Sequence, residues 1–315
     1  MARSGSYDFG PAGDAILRGA IRIVKGIGGT IPKGGKTGQG EITQTREACN
    51  MMLKEWQGQD IGLWLKKEMY VFLAYRDGAY SLGASGDQAT LTLIETELSS
   101  SSAAADTTLT VDSITGIASA DIIGIELDAN TLQWTTVAST PSGSVITITT
   151  GLTSSAGIDN NVYTYTTISQ RPLEILEARL HRDDDTETPL NILTRQEWMD
   201  YSSKTSNGLP NSVYYEPLLD SGILHVWPRP EKVNDYIKLT AKYPIQDIDA
   251  ATNDPDFPAE FYRAVKFNLA VDISHEYKGV DLNRYYALRK QADQLFKNLS
   301  IFDAEYGSIF FESEL

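Results

Sequence analysis

Few side chains in this 315-residue chain are able to do chemistry, and spacing decides how each is read. Gly34-Gly35-Lys36-Thr37 ends like a phosphate-binding loop, in which backbone amides and a lysine cradle phosphates. The full motif needs a glycine where Thr30 stands and a buried strand before the loop. An apolar helical pattern precedes it instead. The stretch 26–40, with seven glycines in fifteen residues, therefore reads as a flexible basic loop. Lys33 and Lys36 are its candidates for touching a partner or DNA. Asp183, Asp184 and Asp185 are successive carboxylates, but no glycine-spaced calcium loop surrounds them, and a solvated turn is the simpler reading. His181, His225 and His275 stand far apart and leave few general bases. Cys49 falls in a helical pattern and reads as a small buried residue rather than a nucleophile. Trp134 is a surface candidate for a sugar platform, although the strand formed with Thr131, Leu132 and Val137 already accounts for it. No zincin motif, Cys/His metal spacing, nucleophile elbow or dinucleotide fingerprint appears. The expectation is a structural or interaction protein, not an enzyme, with no cofactor and no metal.

Charge narrows the partners. The chain has 27 Lys and Arg against 42 Asp and Glu, a net charge of −15, spread unevenly. Residues 1–76 carry 11 basic and 7 acidic side chains; residues 77–170 carry 10 acids and no Lys or Arg; residues 171–315 carry 16 basic and 25 acidic. General DNA binding is excluded, because neutralising phosphates takes clustered Lys and Arg. DNA sliding past without being gripped is not. No apolar run approaches 18 residues, so no membrane span is expected. The N-terminus lacks an apolar signal region, and one cysteine permits no internal disulfide, which fits synthesis and assembly in a reducing cytoplasm.

The elements that must position these residues form an α+β chain: a helical core with β-hairpins, interrupted by an inserted all-β sandwich or barrel. Residues 1–83 and 170–302 are the two parts of the core, 84–169 the acidic insert, and 303–315 a tail. Helices are expected over 12–25, with Ile16, Ala20, Ile23 and Ile27 on one face, and over 43–57, capped by Thr43 with Met51, Met52 and Trp56 in the core. Strand 68–75 should return through the Asp77-Gly78 turn into a hairpin with 80–82. The insert breaks into alternating runs at 90–95, 107–111, 122–127, 131–137, 145–149 and 162–167. It reads as independent, joined through surface loops at 85–87 and 169–170. A strand at 171–180, a capped short helix at 194–201 with Glu197 three residues after Thr194, and strands at 212–219, 222–227 and 236–243 follow. The strongest helix lies within 256–279, with Asp256 as cap, Pro258 in the first turn and Phe261, Val265, Leu269 and Ile273 as its core face. A last helix spans 281–299. The tail carries Phe310 and Phe311 among four acids, suiting a docking peptide.

Several segments, in order, resemble the head-to-tail adaptor (connector) family of short-tailed phages, also called packaged-DNA stabilisation protein or tail tubular protein A. They are Ala48, Asn50-Met51-Met52-Leu53 and Trp56; Arg171-Pro172-Leu173 with Ile175 and Ala178; Gly222-Ile223-Leu224 with Trp227-Pro228-Arg229-Pro230; and Phe257-Pro258 with Glu260, Tyr262, Ala264, Val265, Asn268, Leu269 and Ala270. They span roughly 12–83 and 170–300; the acidic insert is the departure. The resemblance implies a virion protein of the neck, forming a ring of twelve subunits between the portal protein and the tail nozzle protein. DNA would pass through its lumen, and the ring would retain the packaged genome. It further implies that the C-terminal segment reaches the portal, which makes Ile309, Phe310, Phe311 and Leu315 the docking candidates. The insert would lie outside, available to a tail fibre or spike. The competing expectation is a host-surface or carbohydrate-binding phage protein acting through the insert.

Overall fold

The computed structural model describes residues 13–30, 38–59, 62–250 and 252–302. The fold is mixed α+β, with no closed barrel among the described residues. Its elements begin with α1 (Gly13–Gly26), α2 (Gln39–Gly58), β1 (Lys66–Phe72), β2 (Ala79–Leu82) and β3 (Ala89–Thr90). Next come β4 (Ile94–Glu97), β5 (Thr108–Thr110), β6 (Ile122–Leu127), β7 (Thr131–Thr136), β8 (Val145–Thr147) and β9 (Asn161–Tyr165). Then β10 (Glu174–His181), β11 (Glu187–Pro189), β12 (Asn191–Ile192), α3 (Arg195–Asp200), β13 (Ser212–Pro217), β14 (Gly222–Trp227) and β15 (Tyr236–Lys242) lead to α4 (Phe261–Ser274) and α5 (Leu282–Phe302). The chain divides into two compact units: residues 1–65 with 244–315, and residues 66–243. These divisions fall at 65/66 and 243/244: the helices share one core and the sheets share others. No described helix is long and apolar enough to cross a membrane.

In the helical unit α4 is central and packs against α1, α2 and α5. Phe261, Val265, Leu269 and Ile273 repeat every four residues, so they share one face, and all four are buried. Burial of each such side chain is worth about 1.5–3 kcal/mol. They meet Leu17, Ala20 and Val24 of α1, Met52, Leu53 and Trp56 of α2, and Leu288, Ala292 and Leu299 of α5. Several local expectations are corrected. α4 starts at Phe261, beyond Pro258, and Asp256 accepts a hydrogen bond from the Gln246 N–H at 3.0 Å instead of capping the helix. α2 starts at Gln39, so Thr43 lies inside it and donates back to the Gln39 carbonyl at 3.1 Å. On α1 the inner positions are Ile16, Leu17, Ala20, Ile21 and Val24; Ile23 and Ile27 are only half-buried. Met51 points outward, 68% exposed.

In the sheet unit two sheets enclose a common core. One has the order β11-β10-β15-β1-β3 and is antiparallel throughout; the other has the order β12-β13-β14-β2. Met69 and Val71 of β1 meet Leu224 and Val226 of β14 and Ile237 and Leu239 of β15. The expected β1–β2 hairpin does not form: β1 pairs with β15 and β3, and β2 pairs with β14. The segment after β1 is a corner that carries the chain from one sheet to the other. Arg76 there has φ 58°, and its N–H donates to the Pro230 carbonyl at 2.7 Å. The Tyr80 hydroxyl, buried under the corner, accepts from the Ala74 N–H at 3.1 Å. α3 carries the predicted capping box, with Thr194 and Glu197 each bonding the other's backbone N–H.

A third sheet, β4-β9-β6-β7, and the β5-β8 ribbon arise from residues 94–165, close to the predicted runs. Leu109, Ile123, Ile125, Ile146 and Val162 form their core. The entry at 85–87 is an exposed turn, as expected, but the backbone just inside it and the exit at Ser169 are tied to the first sheet. Ala89 and Thr90 pair with β1, the Ser169 N–H donates to the Ala89 carbonyl at 2.7 Å, and the buried Ser169 and Tyr243 hydroxyls lie 2.6 Å apart. Nor is this layer independent. Phe72 and Tyr236 of the first sheet join Tyr163 and Tyr165 of β9 in a shared aromatic cluster.

Candidate functional site

An aromatic-walled cavity of the sheet unit lies beside the β1 corner, with a volume of about 500 Å³. A strand turns alternate side chains to opposite faces, so Met69 and Val71 point into the sandwich while Tyr70 and Phe72 point to the third sheet. Phe72 stacks on Tyr165, rings 5.8 Å apart and 9° from parallel, and meets Trp134 at 4.9 Å. Trp134 lies opposite Gly124 in the β6–β7 register. Its ring covers that glycine so closely that a Cβ there would sit 2.5 Å from the indole. Phe72, Tyr75, Leu132 and Trp134 supply apolar wall, and Asp77, Asp87 and Gln88 supply polar atoms. Asp77 Oδ1 accepts from the Ala79 N–H at 3.2 Å, and Asp87 Oδ2 accepts from the Ser81 N–H at 2.6 Å. The Gln88 side-chain oxygen accepts from the Tyr165 hydroxyl. Burial holds the Tyr80 and Tyr165 phenols above their ordinary range, so both stay protonated donors. This arrangement offers shape, aromatic surface and carboxylate charge.

A polar seam continues beside the aromatic cluster. The Asn161 side chain donates to Asp183 at 2.7 Å, the Asp183 N–H donates to Asp235 Oδ1 at 3.3 Å, and the Tyr163 hydroxyl donates to the Asn234 carbonyl at 3.0 Å. Burial pushes the Glu126 and Asp235 carboxyls up, against hydrogen bonds that favour their charged forms. The Asp183–Asp185 turn is therefore partly a docking point for β9, while Asp184 closes its own turn through Thr186.

The other candidate residues are dispersed. Phe261, Val265, Leu269 and Ile273 are core. Trp134 is half-buried and packed on Gly124 and Phe72, so it is a wall of the cavity rather than a free platform. Lys33, Lys36, Ile309, Phe310, Phe311 and Leu315 lie outside the described residues. Cys49 is fully buried, and burial pushes its thiol up to about 12, so it is an inert thiol. His181 stacks on Tyr236 at 4.5 Å, His225 stacks on Tyr214 at 5.6 Å, and His275 lies 3.2 Å from the Tyr285 hydroxyl. Among the described residues, no group of three His, Cys, Asp or Glu is placed to hold a metal. Sequence reasoning missed the cavity. Its one sequence signal was β1, apolar or aromatic on both faces, which marks a strand covered on both sides.

No family model and no curated protein matches the chain.

Proposed function

We propose that the protein is a structural ring subunit, a head-to-tail adaptor of a short-tailed phage. In this reading the ring, of twelve copies, joins portal protein to tail nozzle protein, lines part of the DNA conduit and retains the packaged genome. It is assembled in the host cytoplasm and ends in the virion neck. The carrying observation is exposed apolar surface at both ends of α5. This helix buries Leu288, Ala292 and Leu299, yet leaves Leu282, Tyr286, Ile301 and Phe302 each between 62% and 68% exposed. Large apolar side chains left open along a long helix mark a surface that a further chain covers. The resemblance supplies the identity of that chain as a neighbouring copy. Of its residues, Ala48, Met52, Leu53, Trp56, Phe257, Ala264, Val265, Leu269 and Ala270 lie in the helical core, and Ile175, Ala178 and Leu224 in the sandwich core. Net acidity suits a conduit, because weak attraction for phosphate lets DNA pass.

Within this proposal the helical unit is the ring scaffold, and residues 91–168 are an all-β insertion on the outside, open to a fibre or spike. The tail from 303 onward docks the portal through Ile309, Phe310, Phe311 and Leu315. Native mass spectrometry and electron microscopy with purified portal test the reading. A closed ring on the portal is expected, and removal of 306–315 should abolish portal binding while sparing the fold. A chain that stays monomeric with portal present and is missing from virions overturns it.

A further inference from the structure

We propose that the cavity beside the β1 corner is a recognition site for a basic side chain, arginine or lysine, presented by an extended segment of a partner protein. The first argument is charge. Asp77 and Asp87 both line the cavity, and no Lys or Arg does. Each carboxylate spends one oxygen on its own turn, Asp77 Oδ1 on Ala79 and Asp87 Oδ2 on Ser81. Asp77 Oδ2 and Asp87 Oδ1 have no donor among the described residues. The surrounding stretch, 77–170, contains ten acids and no base, so its field attracts cations and repels anions.

The second argument is the wall. Tyr75 and Trp134 present aromatic surface, and a cation over an aromatic face is held by the ring quadrupole. The wall already holds such a contact: the Arg76 guanidinium lies 4.9 Å from the Tyr75 ring centre, and Arg76 does not itself line the cavity. The aliphatic stem of an arginine or lysine would lie along Leu132 and Phe72 while its head meets the two carboxylates. The volume, about 500 Å³, exceeds what one side chain needs and leaves room for its flanking backbone. A neutral sugar would stack on the aromatic wall and donate hydroxyls to the carboxylates but leave their charge uncompensated; an anionic ligand would be repelled by them.

The test uses the full chain and is independent of ring assembly. A short Gly/Ser peptide with one central arginine is titrated while the Trp134 indole N–H signal is followed by NMR, assigned through Trp134→Phe. Peptides with central alanine or glutamate and a neutral oligosaccharide are the other arms. The expected result is a saturable shift with the arginine peptide only, weakened at least fivefold in Asp77→Asn/Asp87→Asn. Asparagine keeps each turn's side-chain acceptor, and an unchanged unfolding midpoint verifies that the double variant is folded. Equal response to the alanine peptide, binding that survives the double variant, or a shift with the oligosaccharide alone overturns the proposal.

Discussion

Helix α4 lays Phe261, Val265, Leu269 and Ile273 into a single core, whereas β1 places Met69 and Val71 in one core and Phe72 in another. A helix repeats near 3.6 residues, so its apolar stripe has one direction and needs one partner surface. A strand alternates, so its two faces choose partners separately. The helical unit is thus organised around one element that touches three others. The sheet unit has a strand at its centre that holds two layers on opposite sides. Damage to α4 should spread through its whole unit; damage to one face of β1 should stay with the layer on that face.

The largest expected effect tests the helical side. Phe261→Ala removes a 2% exposed ring that meets Trp64 edge-on at 4.4 Å, and should destabilise the helical unit by about 4 kcal/mol in denaturant unfolding. Hydrogen exchange in β1 and β15 that accelerates as much as in α1 and α2 would break the comparison. Next, Phe72→Ala should cost about 3 kcal/mol and accelerate amide exchange in β6, β7 and β9 far more than in β13 and β14. A uniform loss across both layers would show that the two faces of β1 do not act separately. Gly124→Ala should cost about 2 kcal/mol, because the new Cβ collides with the Trp134 ring. Trp134→Ala in the same chain should recover most of the collision part, as a double-mutant cycle can measure. Thr194→Ala removes one half of the capping box and should cost about 1 kcal/mol by denaturant melts, confined to α3.

The smallest effect is a pH dependence at the seam. Burial raises the Glu126 and Asp235 carboxyls, so the folded state holds their protons more tightly than the unfolded one. The stability they lend is present below the ordinary carboxylate pKa of about 4 and is lost as pH rises through the raised values. Glu126→Gln should therefore gain on the wild type as pH increases through that window. A stability difference that does not change with pH would remove this account of the seam.

Much of the fold was legible because it is local. The four-residue spacing in α4, the Thr194-x-x-Glu197 box and the β13–β14 hairpin each need only neighbours in sequence. The Asp77-Gly78 signal misled, because a turn tendency says that the chain reverses but not which strand it then pairs with. Tyr80 goes to Leu224 of β14 and Val71 to Ile237 of β15, partners more than 140 residues away. The cavity was hidden for the same reason. Phe72, Asp87 and Trp134 belong to three separate segments, and only the seating of β7 against the β1 corner brings them together.

By itself, then, the sequence determined the helical core face, the location of the short strands and the unbroken acidity of 77–170, since periodicity and composition are properties of the chain alone. Tertiary structure alone decided that α1, α2, α4 and α5 form one unit and that β1 is covered on both faces. It also decided that two aspartates line one cavity beside an aromatic wall. Strand pairing and burial are free energies of contact between distant segments, and alternation in one segment carries no record of its partner.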